Sequence, residues 1–306
     1  MTQRLLRLAV VLGLLAALAV YLWIFGKPAS PAKSPLEGVD LGNISKVTVD
    51  GPRQSVVLEK RDGVWKLAAP VQDLADPLVM EDIRSALETF SLGSVISENP
   101  AKHVQFMIDD AQGMKLRVYI EGKEGPVLDG VIGKRTPDFQ DCYFRFAAST
   151  PVYVVSGIPS ANWERDVPGY RMASVLSLKA DDVTVVKVTQ DKFHIELARS
   201  SNTWTNKADG KFVDPYAVNG LLQKLAALPV LTYGTGQEKP ETLGFKKPFA
   251  SVHAETIGKP ASFVVGGTVP GGPNGRYVRS EGRDALLVVS SDALTDLLTP
   301  LKNLAK

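Results

Sequence analysis

The chain has one cysteine in 306 residues, Cys142. A lone cysteine excludes an intrachain disulfide and a thiolate-rich zinc site. Its setting, "DCYFRF", reads as a strand on which the thiol is a small buried hydrophobe. Histidine is nearly as scarce, at His103, His194 and His253. None sits in a His-x-x-x-His or His-Glu pair, and "KFHIEL" and "FASVHAE" read as strands, so isolated strand histidines are favoured over metal ligands. No Gly-x-Ser-x-Gly elbow occurs, and no Ser-x-x-Lys joins other penicillin-binding signatures. Charge of one sign is missing too. Of 35 basic residues, Arg4, Arg7, Lys27 and Lys33 precede Ser34 and no acidic residue does, which leaves 31 basic against 33 acidic in the remainder. Nucleic-acid binding, which draws on clustered Lys and Arg, gets no support.

What is present describes a globular chain with one long apolar run. Apolar content of 44% and charged content of 22% exclude wholesale disorder, and the length suffices for two domains. Leu8 to Phe25, "LAVVLGLLAALAVYLWIF", is 18 residues without a charge. As a helix it spans about 27 Å, close to a hydrocarbon core of ~30 Å. Arg4 and Arg7 precede it, and Tyr21 and Trp23 lie where an aromatic belt belongs. A cleaved signal peptide is the rival, but it closes on a small-residue site, and "FGKPASPAKSP" offers only Ser30-Pro31-Ala32. The expectation is a cytoplasmic stretch at 1–7, an uncleaved transmembrane anchor at 8–25 and a Pro-rich extended spacer at 26–40, with the folded part outside.

The remainder reads as one unit written twice. "ISKVTVDG" and "SVVLEKRDGVWKLA" are alternating strands, the second turning at Asp62-Gly63 before Trp65; "VTVVKVTQ" and "FHIELARSSNTWTNK" repeat them up to Trp204. Asp76-Pro77 and Asp214-Pro215 are each a helix start, with Asp as cap and Pro in the first turn. Ile83, Leu87 and Phe90 lie 7, 11 and 14 residues after Asp76, and Leu221, Leu225 and Leu228 lie 7, 11 and 14 after Asp214. That is one amphipathic face, twice. Gly133 to Tyr143 is ten residues, as is Gly267 to Tyr277, and Tyr-x-Arg recurs as Tyr143/Arg145 and Tyr277/Arg279. Four landmarks in constant order mean duplication. Short connections predict an α+β fold: two tandem, mainly antiparallel sheet units at 41–158 and 183–306, each with one packed helix. A connector at 159–182 is expected to hold a short helix around Ser160 to Arg165. A last helix, Asp292 to Ala305, is expected to kink at Pro300.

Few residues invite a chemical role. Tyr143, Arg145, Tyr277 and Arg279 offer a Tyr/Arg surface for a carboxylate or aromatic partner, since residues two apart share a strand face. The alternative is a half-buried face whose Arg pairs across strands. "VVGGTVPGGPNGRYVR" has the glycines of a phosphate loop but lacks Gly-Lys-Ser/Thr and leads into a strand, which favours a long hairpin. Asp109/Asp110 and Asp181/Asp182 lie in apparent turns, where Asp is locally favoured. Trp65 and Trp204 could stack on a sugar or peptide, but a strand-end Trp beside a helix entry reads first as a core anchor.

Strand–turn–Trp, Asp-Pro with its helix, "TLGFKKP" (Thr242 to Pro248), then Gly, Tyr-x-Arg and a Val-Val strand together resemble domain-of-unknown-function family 4340. Its "Gly-Leu-x-x-Pro" segment is matched by "LGFKKP" with Phe245 for Leu, and less well by "QFMIDDAQG" in the first unit. The resemblance runs from about Ile44 to the C-terminus. It implies a bacterial envelope protein with an N-terminal membrane anchor, of a kind often encoded beside gliding-motility-type ABC transporter components, and it brings no catalytic residue to carry over. The expected function is therefore a non-enzymatic accessory or scaffold protein, single-pass in the inner membrane with its folded part in the periplasm. It would need no cofactor, and its partners would be the membrane and envelope proteins. The alternative is an extracytoplasmic sensor or carrier for a cell-wall glycan or lipid, bound in the cleft between the units, with a hydrolase a distant third.

Overall fold

The alternating Val-rich stretches are strands in the computed structural model, which describes residues 34–158, 163–201 and 203–304 together with isolated helical positions at Gly13, Leu15, Ala16 and Val20. Apart from those four positions the expected anchor at 8–25 lies outside the described residues, as do 1–7 and the spacer up to Lys33. No helix of the described residues is long and apolar enough to cross a membrane.

The first unit contains β1 (Ile44–Asp50), β2 (Ser55–Arg61), β3 (Val64–Ala69), β4 (Asp73–Leu74), β5 (Ser91–Ser97), β6 (Met114–Ile120), β7 (Leu128–Arg135), β8 (Cys142–Phe146) and β9 (Val152–Ser156). The second contains β10 (Val183–Gln190), β11 (Phe193–Ser200), β12 (Thr203–Asn206), β13 (Phe212–Val213), β14 (Thr232–Tyr233), β15 (Ala250–Thr256), β16 (Ala261–Thr268), β17 (Gly275–Ser280) and β18 (Leu287–Ser290). Each set makes one nine-stranded antiparallel sheet, ordered β4-β3-β2-β1-β6-β7-β8-β9-β5 and β13-β12-β11-β10-β15-β16-β17-β18-β14. The two orders coincide strand for strand. The registers coincide as well: Val47 faces Leu58 and Lys60 faces Trp65, as Val186 faces Leu197 and Arg199 faces Trp204. The duplication is thus a duplication of fold.

Local chemistry sets the elements. Asp62 and Gly63 both take positive φ, 52° and 77°, which is the twist a two-residue hairpin requires. Helix α1 (Pro77–Glu88) starts where Asp76 accepts from Leu78 N at 2.9 Å. Helix α2 (Pro215–Ala226) starts where Asp214 accepts from Tyr216 N at 3.0 Å. Ile83 and Leu87 of α1, and Leu221 and Leu225 of α2, are buried against their sheets, each such side chain stabilising by roughly 1.5–3 kcal/mol. The last helix, α3 (Ser291–Leu304), runs through Pro300 and packs beside α2 on the second sheet.

The connector belongs to both cores. Ile158, Trp163 and Tyr170 pack into the first, Val175, Leu176 and Ala180 into the second. Of the helix expected around Ser160 to Arg165, positions 160–162 lie outside the described residues, and Glu164 and Arg165 are not helical. The helical turn is Val167–Tyr170 instead, where Asp166-Val167-Pro168 supplies an extended residue followed by a proline in the first turn.

One glycine equivalence is shifted by a residue. Constant spacing pairs Gly133 with Gly267, but the bulge that both units carry pairs it with Gly266. A Cβ on Gly133 would lie 2.2 Å from Phe106 O, and one on Gly266 2.0 Å from Leu243 O. The glycine therefore makes room for the segment that follows the helix, and spacing along one strand cannot see that neighbour.

Asp76 and Asp214 are equivalent caps, but Asp76 also accepts from Ala173 N of the connector at 3.2 Å. Asp214→Ala should cost about 1 kcal/mol in urea unfolding, the usual price of a lost cap, and Asp76→Ala measurably more. Equal losses would show that the connector contact contributes nothing.

Candidate inter-unit site

The connector is a strand shared between units. Asp76 N donates to Tyr170 O at 3.0 Å and Met172 N to Leu74 O at 3.0 Å, which adds the connector to the β4 edge. On its other side Val230 N donates to Ala173 O and Val175 N to Leu228 O, both at 2.8 Å. The chain between Tyr170 and Val175 thus satisfies backbone groups of both units.

Side chains then fix the junction. The Asp73 carboxylate is fully buried. Arg283, from the β17–β18 loop, grips it in bidentate fashion, Nε to Oδ1 and Nη2 to Oδ2, both at 2.8 Å. Arg171 donates Nε to Oδ2 at 2.8 Å, and its guanidinium lies 3.2 Å from the ring centroid of Tyr233. Arg283 also donates to Ser174 O at 2.6 Å and to Met172 O at 3.2 Å. Burial pushes the Tyr233 hydroxyl pKa up, opposed by the two nearby guanidiniums. Two arginines face one aspartate, so the pocket carries a net positive charge. Such a cluster adds little net stability over an apolar one, but loss of one partner strands the others.

Beside this junction lies a cleft of about 670 Å³ between the N-terminus of α1, the connector and the β15–β16 turn. Leu78, Met172, Leu176 and Leu178 give it an aliphatic lining, with Lys179 and Lys259 among its polar residues. No aromatic side chain among the described residues lines it. No group of three or more potential metal ligands occurs among the described residues.

The residues singled out from sequence have separate places. Tyr143 packs against Phe106 with centroids 4.6 Å apart, while Arg145, 8% exposed, donates Nε to Ile108 O at 2.8 Å and Nη1 to Ala147 O at 3.0 Å. In the second unit Tyr277 is buried with Leu243, and the exposed Arg279 lies over the Phe245 ring at 4.5 Å. Each Tyr-x-Arg therefore clamps the segment after the helix, Phe106–Ile108 in one unit and Leu243–Phe245 in the other. Met107 holds φ 57° where Gly244 holds 71°, so "QFMIDD" makes the turn of "LGFKKP" without its glycine. The two Tyr/Arg pairs sit on different sheets, on β8 and β17, and none of the four residues lines the inter-unit cleft.

The remaining candidates are local. His103 contacts Thr150 O at 2.8 Å and His194 contacts Thr189 Oγ1 at 3.1 Å, whereas His253 stands on β15 opposite Lys187. Cys142 is buried, its thiol donates to Ile158 O at 3.2 Å, and burial pushes its pKa up to about 12. It is chemically quiet. Trp204 is 2% exposed in the second core, and Trp65 is half-buried against the first. Asp109 accepts from Ala111 N and Gln112 N, as a turn aspartate does, and Asp182 lines the cleft.

Asp73, Arg171 and Arg283 escaped the sequence reading because they are 98 or more residues apart and carry no motif. One signal was available. Asp73 breaks the repeat, since Lys211 holds its place before β13. Asp73→Ala should destabilise by about 3–5 kcal/mol in urea unfolding, because two buried guanidiniums lose their counter-ion. Adding Arg283→Met should recover part of that loss in a double-mutant cycle. Purely additive effects would show that the two side chains are not coupled.

No curated protein and no solved structure matches the chain. A family model, Domain of unknown function (DUF4340), matches residues 65–248, from Trp65 through the end of "LGFKKP". The match includes both helix caps, the connector and the β13 edge, and it covers more than half of the chain. The chain belongs to the DUF4340 family of domains of unknown function.

Proposed function

We propose that this protein is a membrane-anchored, extracytoplasmic accessory or scaffold subunit without enzymatic activity, serving an ABC-transporter-linked envelope complex. The observation that carries this reading is the junction itself. Among the described residues, the buried charges Asp73, Arg171 and Arg283 gather where the two units meet and hold them together. A protein that fixes two sheets in one arrangement presents surfaces at set distances, which is what a scaffold does. The uncharged run from Leu8 to Phe25, with Arg4 and Arg7 before it, supports an anchor in the inner membrane with the folded part in the periplasm. The transporter partner follows from the family resemblance.

A second reading has one observation in its favour. The cleft of about 670 Å³ is large enough for a small ligand. Its aliphatic lining suits an acyl chain better than a glycan, which would want aromatic side chains to stack on. This makes a lipid carrier the form of the alternative that fits.

Pull-down of the full-length protein from detergent-solubilised membranes separates the two. The scaffold reading expects ABC transporter subunits to co-purify. If the protein comes alone under mild conditions and its folded part binds a lipid or glycan, the scaffold reading fails.

A further inference from the structure

The same sheet edge has different surroundings in the two units. In the first, the β4 edge is covered by the connector through Asp76 N to Tyr170 O and Met172 N to Leu74 O. In the second, the matching register places Phe212 at Leu74, Val213 at Ala75 and Asp214 at Asp76. Strand groups alternate in direction, so the Phe212 amide and carbonyl and the Asp214 amide point away from β12. Among the described residues nothing bonds to these groups. Beside them Phe212 is 80% and Tyr216 is 87% exposed. Two large aromatic side chains flank an unpaired backbone edge.

We propose that the β13 edge is a strand-addition site for an extended segment of a partner protein that carries an acidic residue. The first unit shows the geometry of the occupied state. There the added strand sets Arg171 against Asp73. In the second unit Lys211 stands in the place of Asp73, with its side chain 73% exposed and Asp209 beside it at 3.2 Å. The sign is reversed, so an incoming strand meets Lys211 best with Asp or Glu where the connector has Arg171. Phe212 and Tyr216 then cover the apolar side chains of that strand, as in other edge-addition complexes. A lipid or glycan does not offer backbone groups at strand spacing. A second copy of this chain cannot lend its connector, which is held between its own units.

The proposal rests on the scaffold reading only in taking the partner to be a protein, and its test is separate. The probe is a fluorescent peptide of the connector, Val167–Ser174 with Arg171→Glu, titrated against the full-length protein by anisotropy. The expected result is saturable binding, at least about tenfold tighter than for the unaltered peptide. Lys211→Glu, at an exposed position, should invert that preference while leaving the circular dichroism unchanged. No saturable binding of either peptide, or a preference indifferent to Lys211→Glu, would overturn the proposal. So would self-association in sedimentation that Lys211→Glu abolishes, which would assign the edge to a second copy. If envelope subunits co-purify equally with wild type and Lys211→Glu, the scaffold reading stands and its docking surface lies elsewhere, which also overturns the proposal.

Discussion

The arrangement of this molecule depends on one buried carboxylate. Asp73 sits at the edge of the first sheet and holds Arg171 of the connector and Arg283 of the second unit. Without it, the two halves would be joined through the connector, by its backbone bonds to both units, its apolar side chains in both cores and the bonds of Arg283 to Met172 O and Ser174 O. With it, an arginine of the second unit, two main-chain carbonyls and the Tyr233 ring are assembled in one desolvated place. Charge clusters of this kind are poor sources of net stability but demanding about geometry. They accept one docking and penalise others. The cost of desolvation is met only where every partner is in position, so the junction selects an orientation.

Duplication followed by divergence explains why the junction exists once. Both units keep the strand order, the hairpin register and the capped helix. They differ at the edge strand, where Lys211 stands in the place of Asp73, and, among the described residues, at the last helix, which follows β18 but not β9. The first unit uses its edge internally. Among the described residues nothing covers the same edge of the second, and Phe212 and Tyr216 are exposed beside it. Identical folds therefore differ in how the same edge is covered, decided by a handful of side chains at the rim.

This pattern also explains what could be read in advance. Val47, Leu58, Ile83 and Leu87 announce their elements because burial imposes a period of two or 3.6 on local sequence. The same periods expose the repeat, and with it the two-sheet architecture. The two-residue strands β4, β13 and β14 have no period to show, so three of the four sheet edges were invisible. Tyr143/Arg145 and Tyr277/Arg279 were conspicuous because they recur. They recur because each pair clamps the segment behind its helix, a role that local spacing cannot separate from binding. The Asp73 cluster was hidden for the opposite reason. Long-range pairing leaves no local trace, and its only mark is a charge that fails to repeat.

The central claim is that the two units form one body with a single relative orientation. Spin labels at Glu124→Cys and Lys192→Cys, both exposed and one on each unit, would report it through their distance distribution by pulsed electron resonance, with the buried Cys142 left in place. The account predicts a single narrow distribution for the otherwise native chain, broadened when Asp73 is also replaced by alanine. A broad or multimodal distribution in the native background would contradict it.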